Sequence, residues 1–187
     1  MKVIKFVLRF IKALFILFAI TLPLEILGLV LVPLGLIFQR HYRLPTILKW
    51  FDNADVWLGR NSETYELVVN TGSFLEKYHW LALRNPINYF GYAVLGVKQD
   101  TLRSRVQIEG DIRVGDGAEN VPGFLYQEFY DFDNNKDIYE YYYIHKWSAT
   151  KCFRFRMGHK IGRTVLGDVS AIQYVFVIQP YKDYHGQ

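Results

Sequence analysis

"FDNAD" puts Asp52 and Asp55 one helical turn apart, and "RNPINYF" places Arg84, Asn85 and Asn88 where a following helix must end. Two carboxylates beside a guanidinium can shuttle protons, so a membrane-associated hydrolase or transferase would be built on Asp52, Asp55 and Arg84. The same groups more often cap helices and tie elements together by charge-assisted hydrogen bonds. A second nucleophile candidate is Cys152, the single cysteine. On a strand it shares a face with Arg154 and Arg156, whose charge favours a thiolate, but no base accompanies it there, and a lone cysteine is ordinarily a packing residue. The balance leans away from an enzyme.

Residues 141–167 hold Lys146, Lys151, Arg154, Arg156, Lys160 and Arg163 and no acid. Lys146, Arg154, Arg156, Lys160 and Arg163 are therefore the candidate anion-binding set, for a lipid headgroup, a phosphate or nucleic acid. The alternative is a solvated strand face neutralised by Glu128 and Glu140. "DFDNNKD" alternates Asp131, Asp133, Asn135 and Asp137 like the start of a calcium loop, but Lys136 stands where the loop needs glycine and Tyr142 where it needs glutamate. Neither metal-ligand spacing nor a phosphate- or dinucleotide-binding glycine loop is present, so no metal and no cofactor is expected.

The elements that must position these groups begin with an apolar run. From Ala13 to Phe38 the only ionisable residue is Glu25. At 1.5 Å per residue the run reaches about 39 Å, beyond the roughly 30 Å of a hydrocarbon core. An acid mid-span costs on the order of 3 kcal/mol, which the surrounding Leu, Ile, Val and Phe residues offset. Thr21 and Pro23 predict a kink that puts Glu25 in the first turn of a second segment, where the helix dipole favours it. Upstream, Lys2, Lys5, Arg9 and Lys12 recur at helical spacing, and Arg40 and Arg43 follow the run; these six are expected at the membrane surface. One kinked span, a re-entrant wedge and a hairpin buried in an assembly all fit this pattern.

Charge sharpens the reading. Seven of the 22 Lys/Arg but one of the 18 Asp/Glu lie in residues 1–49, leaving 15 bases against 17 acids in the remainder. The basic character belongs to the flanks of the apolar run, a membrane pattern, and the acidic balance of residues 50–187 argues against nucleic acid.

Residues 1–39 are thus read as a membrane segment and 40–187 as one aromatic-rich α+β domain. Two short helices are predicted, at about 46–58 with Thr46 as N-cap, and at about 74–84, opened by a Ser73/Glu76 capping box and closed before Pro86. After residue 100 the period becomes two and predicts an antiparallel β-meander. A three-residue loop at Ser148–Thr150 sets Tyr141 against Met157, Tyr143 against Phe155 and His145 against Phe153. A five-residue loop at 133–137 adds Leu125 and Phe129 to that aromatic face, which is then the expected core. Glu128, Glu140, Tyr142, Lys146, Cys152, Arg154 and Arg156 fall on the wet face.

"HYRLPTILKWFDNADVWLG", "WLALRNPINYFGY" and "KWSATKCFRFRMGHKIG" with "QYVFVIQPYKDYHG" resemble a family of small uncharacterised proteins encoded by tailed bacteriophages and prophages. The resemblance spans nearly the whole chain. It implies a phage product with a hydrophobic N-terminus, in a host cell membrane or associated with the virion, and a shared pattern that includes Asp52, Asn53, Asp55, Arg84, Asn85, Pro86 and Asn88. It transfers no activity. The expected function is non-enzymatic: membrane attachment, with the α+β domain binding a protein partner, a second copy of the chain or anionic headgroups, and a virion or injection-apparatus component as a variant of this reading.

Overall fold

The structure, a computed structural model, describes residues 2–57, 72–98, 105–114, 121–131, 136–161 and 171–184. It has the expected α+β composition: a long apolar N-terminal helix, short helices, then a five-stranded antiparallel sheet. Two compact units result, Met1–Leu95 and Gly96–Gln187. The division falls between helices and sheet rather than after residue 39, because the short helices share a core with the long one.

That helix comprises α1 (Lys2–Ile16), a π-type turn (Leu17–Thr21) and α2 (Leu22–Ile37). The predicted kink at Pro23 is a widened turn just before it, with no break in the helix. Pro23 has no N–H, and its ring crowds the carbonyl one turn back, so the preceding turn opens to π spacing. Thr21 does not cap; its backbone is helical and its hydroxyl donates to Leu17 O at 3.1 Å, a carbonyl that also accepts from Leu22 N. Glu25 does lie in the first turn of α2 and is half-buried.

One stripe of α2 is covered: Gly28, Val32, Gly35 and Leu36 are buried. They pack with Leu44, Phe51, Leu81, Ala82, Ile87 and Phe90. Small residues allow the approach, since a Cβ on Gly28 would come within 3.1 Å of Phe51 Cδ1, and one on Gly35 within 2.9 Å of Leu48 Cδ1. Pro33, inside α2, leaves the Leu29 carbonyl without an N–H donor. Tyr78 Oη donates to that oxygen at 3.4 Å.

The first short helix is a 3₁₀ turn, Thr46–Phe51, followed by α3 (Ala54–Trp57). Pro45 rather than Thr46 occupies its N-cap, and Phe51 and Ala54 are buried while Ile47 is 87% exposed. The second is α4 (Phe74–Tyr78), which opens to a π turn at His79–Arg84 before Pro86. Its capping box is present, with Glu76 Oε2 accepting from Ser73 N at 2.6 Å. These backbone and hydroxyl donors hold the Glu76 carboxyl below its ordinary range. A third helix, α5 (Asn88–Ala93), follows the left-handed Ile87.

In the second unit β2 (Arg105–Gly110), β3 (Gly123–Asp131), β4 (Lys136–Lys146), β5 (Lys151–His159) and β7 (Tyr174–Asp183) form the sheet in that order, while β1 (Val97–Lys98) pairs with β6 (Ala171–Ile172). The β4–β5 register is the predicted one: Tyr141 faces Met157, Tyr143 faces Phe155 and His145 faces Phe153. The β3–β4 register is not. Phe129 pairs with Ile138 rather than Tyr141, an odd shift that moves Leu125 and Phe129 to the opposite face.

The expected core and wet faces are consequently exchanged over much of the sheet. Leu125, Tyr142, Ile144 and Cys152 are buried with Val114 and Tyr184. Phe129 and Ile138 are buried on the same side with Val97, Ile161 and Ile172. On the aromatic side, Tyr126, Tyr139, Tyr141, Met157, His159 and Tyr174 are buried, whereas Phe124, Tyr143, His145 and Ile178 are exposed. Gly158, at φ +104°, permits the close approach of β5 to β4, because a Cβ there would sit 2.2 Å from Tyr139 O.

Candidate functional site

Asp52 is fully buried, and it organises the region where the short helices meet. Its Oδ2 accepts from Leu44 N at 2.9 Å and from Trp57 Nε1 at 2.9 Å, and its Oδ1 from Asn53 N at 2.8 Å. Burial raises the carboxyl above its ordinary range, against the pull of the Leu44, Trp57 and Asn53 donors and of the Arg43 charge. The main chain joins in: Tyr89 N donates to Asp52 O at 3.1 Å, and Ala54 N to Asn88 Oδ1 at 2.9 Å. Asp52 and Asn88 are therefore brought together in one hydrogen-bonded junction, whereas the sequence pattern sets Asp52 and Asp55 against Arg84. Arg84 is not part of it. That side chain is exposed, with its guanidinium 4.5 Å over the Trp80 ring. The Asp55 side chain lies outside the described residues.

Trp57, pinned by Asp52, supports Arg43, whose guanidinium lies 5.1 Å over the indole and donates to Val56 O at 3.1 Å. Arg43 in turn closes a tight turn: Arg40 N donates to Arg43 O at 3.1 Å and Arg43 N to Arg40 O at 3.0 Å. The two central residues, His41 at φ 47° and Tyr42 at φ 67°, are both left-handed. For residues with a Cβ this costs roughly 1–3 kcal/mol each, and such strain clusters at ligand clamps. Beside the turn is an open cleft of about 860 Å³ whose lining includes Ile37, Phe38, Arg40, His41, Arg43 and Trp57.

The remaining sequence candidates are scattered. Lys5 and Lys12 are exposed on α1, but Arg9 is 4% exposed, so the expected basic stripe is interrupted. The Lys2 side chain lies outside the described residues. Cys152 is buried in an apolar cluster rather than displayed beside the arginines. Arg156 is buried too, donating through Nε to Glu140 Oε1 at 2.6 Å, with its Cζ 4.7 Å over the Tyr142 ring. Gln127 Nε2 donates to Glu140 Oε2 at 2.6 Å. Three polar groups thus satisfy one another between two apolar clusters, which is why the alternation looked like a wet face. Lys146 and Lys160 are exposed, the former with its Nζ 4.8 Å over Tyr184, and Arg154 is half-buried. Arg163 lies outside the described residues, as do Asp133 and Asn135. Among the described residues no group of His, Cys, Asp and Glu is placed to hold a metal.

A family model described as "Family of unknown function (DUF7338)" matches residues 1–186. The chain belongs to this family. No curated protein and no solved structure matches it. The geometry alone sets two regions apart: an open cleft at the end of α2 lined by Arg40, His41 and Arg43, and the closed junction at Asp52. The Asp52 oxygens are committed to donors and the side chain is sealed from solvent. Sequence reading assigned Arg40 and Arg43 to the membrane surface but missed His41, Trp57 and the turn. Nothing in "RHYR" signals left-handed backbone, since neither glycine nor asparagine occurs there.

Proposed function

We propose that the protein is a non-enzymatic, membrane-attached protein: the helical unit is the lipid anchor, and the sheet unit binds a protein partner. One observation carries the anchor. Fifteen large apolar side chains between Val3 and Phe38 are exposed. Leaving such side chains in water rather than burying them forgoes about 1.5–3 kcal/mol each, tens of kcal/mol in all, which a bilayer restores. Among the described residues Val3–Ile37 is the helix long and apolar enough to cross a membrane. At 1.5 Å per residue it is about 52 Å long, so its basic N-terminal turns reach beyond the hydrocarbon. Exposed Ile47, Trp50, Phe74, Leu75 and Leu83 on the short helices suit the same interface.

For the sheet unit the supporting feature is the open end of the aromatic side, where Phe124, Tyr143 and Trp147 are exposed. Rigid rings on a strand scaffold are the usual anchors of protein interfaces. The resemblance of the sequence motifs to tailed-phage and prophage proteins supports a host cell membrane or a virion as the proposed setting. Carbonate extraction of membranes from cells making the full chain tests the anchor, and protease protection of the C-terminal tail then reports the side on which the sheet unit lies. Retention in the pellet is expected. Release as a soluble, detergent-free monomer would overturn the proposal.

A further inference from the structure

We infer that the cleft at the end of α2 is a headgroup site that takes the phosphodiester of an anionic phospholipid, with Arg40, His41 and Arg43 as its anion-binding groups. This rests on the membrane reading above and deepens it. The cleft begins where the apolar helix stops: Ile37 and Phe38 form its exposed apolar edge, and the cationic side chains follow within five residues. That order, apolar then cationic, is the order a phospholipid presents from acyl chain to phosphate.

Charge favours an anion there. The C-terminus of a long helix contributes about half a negative charge, which two guanidinium groups outweigh. Asp52 acts on Arg43, but among the described residues neither Arg40 nor His41 is paired with a carboxylate. The site is also held in advance of any ligand. The mutual Arg40–Arg43 backbone bonds fix the strained turn, and the Val56 carbonyl and Trp57 ring hold Arg43. Asp52 anchors Trp57 in its turn, so the buried carboxylate is a positioning residue for the clamp. A preorganised guanidinium loses little freedom on binding a phosphate.

The test uses the full chain in a non-ionic detergent, titrated calorimetrically with short-chain phosphatidylglycerol, short-chain phosphatidylcholine or inorganic phosphate. Saturable binding of phosphatidylglycerol is expected, with the other two weaker by about tenfold or more. Arg40→Gln combined with His41→Gln, both exposed side chains, should lower the phosphatidylglycerol affinity by about tenfold or more at an unchanged melting temperature. If that pair does not fold, Arg40→Gln alone carries the same test. Equal binding of inorganic phosphate would overturn the lipid assignment, equal binding of phosphatidylcholine the anionic preference, and indifference to the variants the site itself. A chain retained by carbonate that binds no phosphatidylglycerol would remove the site and leave the anchor. One that binds it but is released by carbonate would leave the site and remove the anchor.

Discussion

Replacing Asp52 tests whether the carboxylate is a structural hub. Asp52→Ala strands two buried backbone donors, Leu44 N–H and Asn53 N–H, each costing about 1–3 kcal/mol when left unpaired. The third donor, Trp57 Nε1, is partly buried and can rehydrate. Removing a buried carboxylate also relieves a desolvation cost, so the net loss should be about 2–4 kcal/mol. Asp52→Asn can keep its carbonyl on Leu44 N and Trp57 Nε1, turning only its amide toward Asn53 N–H, and should cost about 1–2 kcal/mol. The sign of the pH dependence follows from burial. Because the folded carboxyl titrates above its free-chain value, its protonated form is the one the fold favours. Wild-type stability should therefore rise as pH falls from neutral through the folded pKa, levelling near the free-chain value of about 3.9, and Asp52→Asn should lack this component. Thermal unfolding of the detergent-solubilised chain, followed by tryptophan fluorescence across pH, measures both effects. An Asp52→Ala variant as stable as wild type to within about 0.5 kcal/mol, with an unchanged pH profile, would refute the hub.

Three further outcomes are expected. Arg156→Ala leaves Glu140, 1% exposed, as an uncompensated buried charge and should destabilise the sheet unit by about 3–5 kcal/mol. Adding Glu140→Leu should recover most of that loss in chemical denaturation of the full chain, though Gln127 then lacks its acceptor. Gly35→Leu drives a side chain into Leu48 and Leu44, so near-ultraviolet circular dichroism should report loosened tryptophan and tyrosine packing while far-ultraviolet helicity persists. Gly158→Ala meets the Tyr139 carbonyl at a left-handed position and should lower the melting temperature by several degrees or prevent folding of the sheet, read by the same thermal scan.

Features encoded by short-range chemistry were readable from sequence. The apolar run gave the long helix, the Ser73/Glu76 spacing gave a real capping box, and the Ser148–Thr150 turn gave the β4–β5 register. Features that depend on distant partners were not. Burial of Glu140 and Arg156 requires that each find the other and Gln127, which alternation alone reads as solvation. The β3–β4 slip came from counting loop residues at 133–137, where Asp137 instead pairs with Tyr130 in the ladder. At the candidate site, positions 40, 43, 52 and 88 were legible as polar groups. What Asp52 binds was not, because its partners are main-chain N–H groups and an indole that only the folded path of residues 44–57 brings within reach.

The strand order also bears on how the chain is made. From β2 to β5 each strand pairs with its immediate successor, so most of the ladder closes through short connections at small entropic cost. Among the described residues the strands of both sheets pair within residues 97–183. Synthesis thus delivers the hydrophobic helix first, and the hairpins can zip up in sequence behind it, on the proposed reading once that helix has engaged a bilayer. A slow-folding, long-range β topology tethered at a membrane would expose sticky edges to neighbours; this arrangement shortens that window.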